Sequence, residues 1–147
     1  MSTEKTMSKP KQQTEIPQLF RVVIHVGNLE EAEKFYSTLL NTKGKRTSPG
    51  RHHFQTGGIT LALYDAIKEA HFHKGPMPEH LYFAVDNIEE IHERAEKMGC
   101  LSTEMIMDEK AGDIIMRPWG ERSFYVQDPY NNGLCFVDSN TINTGNE

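Results

Sequence analysis

Two stretches of this chain are near copies of each other. R-V-V-I-H-V-G-N-L-E-E-A from Arg21 aligns without gaps on H-L-Y-F-A-V-D-N-I-E-E-I from His80, with Val26/Val85, Asn28/Asn87, Glu30/Glu89 and Glu31/Glu90 identical. In each copy a β-branched and aromatic run of strand length gives way to Asn, a good helix N-cap, and then to apolar residues at helical spacing. The later hairpins also match: F-Q-T-G-G-I-T-L-A-L-Y-D against V-Q-D-P-Y-N-N-G-L-C-F-V-D, with one extra turn residue in the second. Each half therefore reads as strand–helix–strand–strand–strand. Neither half is long enough to bury its own sheet, so the two must share a core. The predicted fold is α+β, two βαβββ modules sharing one core.

In chain order, a strand is expected over Leu19–Val26 and a helix from Leu29 to about Asn41, with Asn28 as N-cap and Glu31 as capping-box partner. Lys43–Thr47 reads as a short strand, and His52–Thr56 and Ile59–Tyr64 as a hairpin over Gly57-Gly58. A strand over His80–Val85 and a helix from Ile88 to Met98, stopped by Gly99, follow a polar connector over 66–78. Ser102–Met107 reads as a strand and Asp108–Gly120 as a loop. The strands Ser123–Gln127 and Leu134–Val137 then flank the turn Asp128–Gly133, where Pro and Asn-Asn-Gly force a reversal. Residues 1–17 and 139–147 read as polar tails around one domain, 18–138, with modules of about 18–65 and 79–138.

Composition narrows the function classes. Sixteen Lys and Arg against 21 Asp and Glu give a net charge of −5, which argues against a general nucleic-acid binder. Two cysteines, Cys100 and Cys135, make neither a disulfide framework nor a CxxC metal motif. No run has the apolar length of a signal peptide core or a membrane span. The expectation is a cytoplasmic protein with no nucleic-acid or membrane partner.

The doubled βαβββ pattern, the Asn-Leu/Ile-Glu-Glu helix starts with Phe35-Tyr36, the Pro118-Trp119-Gly120 loop and Q-D-P-x-x-N-G over Gln127–Gly133 resemble the vicinal oxygen chelate superfamily. That group includes glyoxalase I, bleomycin and fosfomycin resistance proteins and extradiol dioxygenases. The resemblance covers roughly Leu19 to Asp138. It implies curled mixed sheets that form a shared cavity and, in that cavity, a divalent metal held by a His opening the first strand of a module and a carboxylate in its last strand. Carried over residue by residue, the His positions fall on Arg21 and His80, and the carboxylate positions on Ala62 and Cys135. Only His80 keeps the implied ligand type; guanidinium and methyl groups cannot coordinate, and a thiol is a soft donor among hard ones. The family's pairing habit implies a homodimer.

The candidate ligand-binding residues are therefore Arg21, His25, His80, Trp119 and Cys135. Arg21 either clamps a carboxylate or phosphate through its fork or snorkels to water. His25 shares its strand face and either lines the cavity or packs. Trp119 is a cavity wall or a packing residue, and Cys135 a nucleophile beside His80 or an inert buried thiol. Of His52 and His53, at most one can face the cavity, because adjacent strand residues point to opposite faces. His71 and His73 read as surface residues of the connector. A metal site built from His80, His53 and His25 would lack a carboxylate, so His80 is the one weak metal candidate. No cofactor is expected, with a divalent metal as the alternative. The expected function is binding of a small organic molecule between the modules. The alternative is a metal-dependent lyase, isomerase or dioxygenase with ligands rearranged around His80, and a module that only makes interactions is the third possibility.

Overall fold

The computed structural model describes residues 19–68 and 79–143. The duplication is written into its topology. Module 1 runs β1 (Arg21–His25), α1 (Leu29–Leu40), β2 (Lys45–Ser48), β3 (Arg51–Thr56) and β4 (Ile59–Tyr64). Module 2 runs β5 (His80–Val85), α2 (Ile88–Met98), β6 (Met105–Ile106), β7 (Glu109–Lys110), β8 (Ile115–Met116), β9 (Arg122–Gln127) and β10 (Gly133–Asp138). Sheet A has the order β1-β4-β3-β2 and sheet B the order β5-β10-β9-β8. In both, the first strand lies parallel to the last and every other pairing is antiparallel. The helix crossover is what makes that parallel pair possible, since parallel strands need a long connection. The sheets are open, and β6 and β7 form a separate hairpin.

Both helices begin as their sequences predict. The Asn28 and Asn87 side chains accept from the Glu31 and Glu90 amides at 3.0 and 3.2 Å. Asn41 and Gly99 close them in the left-handed conformation, the usual helix stop. The Glu31 side chain, expected as a capping-box partner, accepts a long-range bond from the Tyr130 hydroxyl at 2.6 Å.

One core holds the modules together. Ile24, Leu29, Ala32, Tyr36, Leu39, Phe54, Leu61 and Leu63 of module 1 join Ile88, Ala95, Phe124, Leu134 and Phe136 of module 2 in a single apolar cluster. Alternation along the strands therefore turns one face of each sheet toward this core and the other face outward. Phe136 stacks between Phe83 and Phe124, with ring centroids 5.2 and 5.4 Å away. A second, smaller cluster of Ala111, Tyr125, Cys135 and Val137 forms on the outer face of sheet B.

Several boundaries differ from the sequence expectation. The first strand is shorter, Arg21–His25, and the second lies at Lys45–Ser48 with a register shift between Arg46 and Ser48. Ser102–Met107 is not a strand: only Met105–Ile106 pairs, with Glu109–Lys110, and Leu101 makes one isolated bridge to Val126. Within the expected loop, Ile115–Met116 adds an edge strand to sheet B. Ser139–Thr141 forms a 3-10 turn whose Thr141 hydroxyl accepts from the Arg122 amide at 3.0 Å, so 139–143 is docked on module 2 rather than a free tail. His71 and His73 lie outside the described residues.

Candidate functional site

The turn that closes module 2 is anchored on module 1. Asp128 accepts from the Tyr130 and Asn132 amides at 2.8 and 2.7 Å, the pattern of an Asx turn. Its other oxygen accepts from the Tyr36 hydroxyl on α1 at 2.7 Å. Asn132 donates to the carbonyl of His25, and Tyr130 to the carbonyl of Asn28. Burial and the adjacent Asp128 carboxylate push the Tyr36 phenol far above its ordinary range, so this hydroxyl is a permanent donor. The result is a fixed angle between the sheets.

That angle opens a cleft of about 690 Å³ between the modules. Its walls are largely apolar, with Val22, Leu40 and Leu61 from module 1 and Leu81, Ile91 and Phe136 from module 2, while His80, Gln55 and Thr56 add polar groups. Strand β5 is the edge of its sheet and all six of its residues border the cleft. Gly133 sits opposite His80; a Cβ there would stand 2.5 Å from the imidazole. The glycine is what lets the ring lie across the neighbouring strand, edge-on to Tyr125 at 5.1 Å.

Two further cavities lie on the outer side of sheet B. One, of about 290 Å³, is lined by Glu79, His80, Tyr82, Glu104, Trp119 and Tyr125 among others. The other, of about 440 Å³, lies beyond Trp119 and Tyr82 against Glu121, Val137 and Ile142. Trp119 walls both, held by its indole N–H to Glu121 at 3.1 Å and by Asn143 donating to its carbonyl. Arg117, two residues before it in sequence, is buried. Its guanidinium donates to the carbonyls of Ala111, Asp113 and Ser123 and to the Ser123 hydroxyl. That clamps the β6–β7 hairpin region onto the sheet; its Nη1 has no partner.

The five sequence candidates divide among these places. His80 lines the cleft and the smaller outer cavity, Trp119 lines both outer cavities, and Cys135 is 1% exposed inside the small cluster of sheet B. Burial pushes the Cys135 thiol up to about 11, so at neutral pH it is a thiol rather than a thiolate nucleophile. Arg21 and His25 lie on the outer face of sheet A, where His25 meets Tyr64 edge-on at 5.2 Å. The one-of-two reading of His52-His53 resolves by face. His52 turns to the core side, donating to the Lys43 carbonyl and receiving Arg46, whereas His53 pairs across from Ala62 on the outer face. Arg117 and Glu121 were not anticipated, since neither sits in a periodic run.

The four positions implied for a metal fall in pairs on different sheets, Arg21 and Ala62 on A, His80 and Cys135 on B. A guanidinium, a methyl group and a buried protonated thiol are not a donor set for a divalent cation. Among the described residues, no three His, Cys, Asp or Glu side chains converge.

Comparison with known proteins bears on the fold. The chain is similar to a protein from the mobile metagenome of V. Pseudocholerae, at 22% identity and a TM-score of 0.65 over 85% of this chain and 96% of that one. It is similar to lactoylglutathione lyase from Agrobacterium tumefaciens, at 20% identity and 0.63 over 84% and 95%. A glyoxalase/bleomycin resistance protein/dioxygenase from Nocardioides aligns at 20% identity and 0.59 over 85% of both. No curated protein matches. The family profile matches residues 18–136, and the chain belongs to the Glyoxalase/Bleomycin resistance protein/Dioxygenase superfamily.

Proposed function

We propose that this member of the superfamily is a small-molecule binding protein. It takes a largely apolar organic ligand in the cleft between its modules, with His80 as the polar anchor and no divalent metal. The cleft carries this reading: about 690 Å³, the size of a small-molecule site, with apolar walls and few polar groups. The donor chemistry at the four implied metal positions supports the metal-free part. In this reading the protein is a cytoplasmic homodimer; among the described residues, strands β1 and β5 each leave one edge without a strand partner, which favours pairing between copies. No helix among the described residues is long and apolar enough to cross a membrane.

The test is a thermal-shift screen of a small-molecule panel on the full chain, paired with metal analysis after refeeding with Zn, Ni, Mn and Fe(II). A ligand at about a hundredfold its Kd should stabilise the protein by about 2.7 kcal/mol. That gain should vanish in Ile59→Trp, which fills the cleft from its rim. One tight metal per chain, lost in His80→Ala, would overturn the reading in favour of a metal-dependent lyase, isomerase or dioxygenase.

A further inference from the structure

The outer face of sheet A carries a cluster of cations that the cleft does not use. Cross-strand register places the residues of this face in rows: Arg21–Thr60–Gln55, Val23–Ala62–His53–Lys45, and His25–Tyr64–Arg51. Three permanent positive charges and two imidazoles surround a methyl group, and no carboxylate occupies any of these positions. Composition does not account for this, because acids outnumber bases in the chain, 21 to 16.

The core side of the same module shows the opposite rule. There Arg46 pairs with Glu33 and Glu30, and Lys68 with Glu30. Arg21, Arg51 and Lys45 have no acidic partner among the described residues. The two arginines are instead held by rings. The Arg51 guanidinium lies 4.3 Å from the centre of Tyr64 and that of Arg21 lies 4.9 Å from Phe20. Stacking fixes the plane of a guanidinium and leaves its in-plane N–H donors uncommitted. His53 lies between them, within electrostatic range of both arginines, and its Nε2 is buried with no hydrogen-bond partner.

We propose that this face is a binding site for a small oxyanion, with Arg21 and Arg51 as the charged forks and His53 Nε2–H as a central donor. The chemistry of the face follows from two positions. Where the superfamily resemblance implies a His and a carboxylate, this chain has Arg21 and Ala62, so the face gains a fixed cation and lacks an anion. Paired forks suit a carboxylate or a phosphate group, each of which accepts two parallel N–H bonds from one arginine. The site is separate from the cleft and does not depend on the cleft ligand.

The experiment is histidine-ring NMR of the full-length protein titrated with inorganic phosphate, or in a second arm acetate, against chloride at constant ionic strength. A His53→Gln variant assigns the His53 signal. Saturation of the His53 shift at about 1 mM anion or below is expected, with affinity at least tenfold weaker in Arg21→Gln and in Arg51→Gln. Arg51→Lys should recover only part of it, and Ile59→Trp should change nothing. Saturation by phosphate assigns the site to phosphate-bearing ligands, saturation by acetate alone to carboxylates. A shift that grows linearly with both anions, or one unchanged in both arginine variants, overturns the proposal. Arg21 is exposed, so its variant tests the site without endangering the fold.

Discussion

Sheets A and B share strand order, strand direction and a common core, yet their outer faces have opposite characters. Sheet B is covered: Ala111 and Ile106 pack on Tyr125, Cys135 and Val137, and Arg117 ties the covering segment down. Sheet A has no such cover from its own loop, because α1 passes to β2 through Asn41–Gly44 alone, whereas α2 reaches β8 through a long segment that includes the β6–β7 hairpin. The lesson is about loop length acting on identical scaffolds. A covered face must be apolar or fully hydrogen-bonded, so position 135 becomes a buried thiol. A face without such a cover from its own loop tolerates charge, and there the matching strands carry Arg21, Arg51 and Lys45 around the buried Ala62.

The covered face of sheet B depends most heavily on Arg117. Arg117→Ala removes the donor that ties down the Ala111, Asp113 and Ser123 carbonyls, of which Ala111 keeps only the Tyr125 amide, and empties a buried side-chain site. It should destabilise the protein by about 3 kcal/mol, read as a lower urea midpoint. Cys135→Ala opens a smaller defect in the same cluster and should cost about 1 kcal/mol. The same burial holds Cys135 and Cys100 protonated to about 11; neither should react with a thiol reagent at neutral pH until urea unfolds the chain. On sheet A, Arg51→Gln should change stability by no more than about 0.5 kcal/mol, and a loss as large as that of Arg117→Ala would erase the distinction between the faces.

The smallest effect is a pH dependence. Desolvation first, then Arg21, Arg51 and His52, hold the His53 imidazole below its ordinary 6.5. The unfolded chain therefore takes up this proton before the folded one, and His53 lowers stability as pH falls through 6.5 toward the folded value. Above 6.5 both states are neutral and the contribution vanishes. His53→Gln should flatten the urea-midpoint profile just below pH 6.5 and leave it unchanged above.

Much of the architecture was legible because it was local and repeated. Asn28 and Asn87 announce helix starts, Gly99 a helix stop, and β-branched alternation the strands. The β6–β7 hairpin was not legible: its turn residues Met107 and Asp108 both adopt positive φ, a conformation Met rarely takes and no motif signals. Arg117 was missed because a buried arginine bonded to backbone carbonyls leaves no charge pattern in sequence. Arg51 fell one residue outside the predicted strand, so its place beside His53 emerged only from its register with Tyr64. The alternation rule separated His52 from His53, but which one faced outward depended on Phe54 being in the core.

The anchoring of the Asp128 turn on α1 also bears on how the chain is made. Tyr36 and the carbonyls of His25 and Asn28 are synthesised 92 to 107 residues before their partners Asp128, Asn132 and Tyr130. On the ribosome, module 1 emerges with a buried-to-be hydroxyl and the apolar face of α1 still uncovered. Folding of module 1 by itself, ahead of module 2, is closed to it: the first half waits for the last strands of the second, and the core closes only once both modules are present.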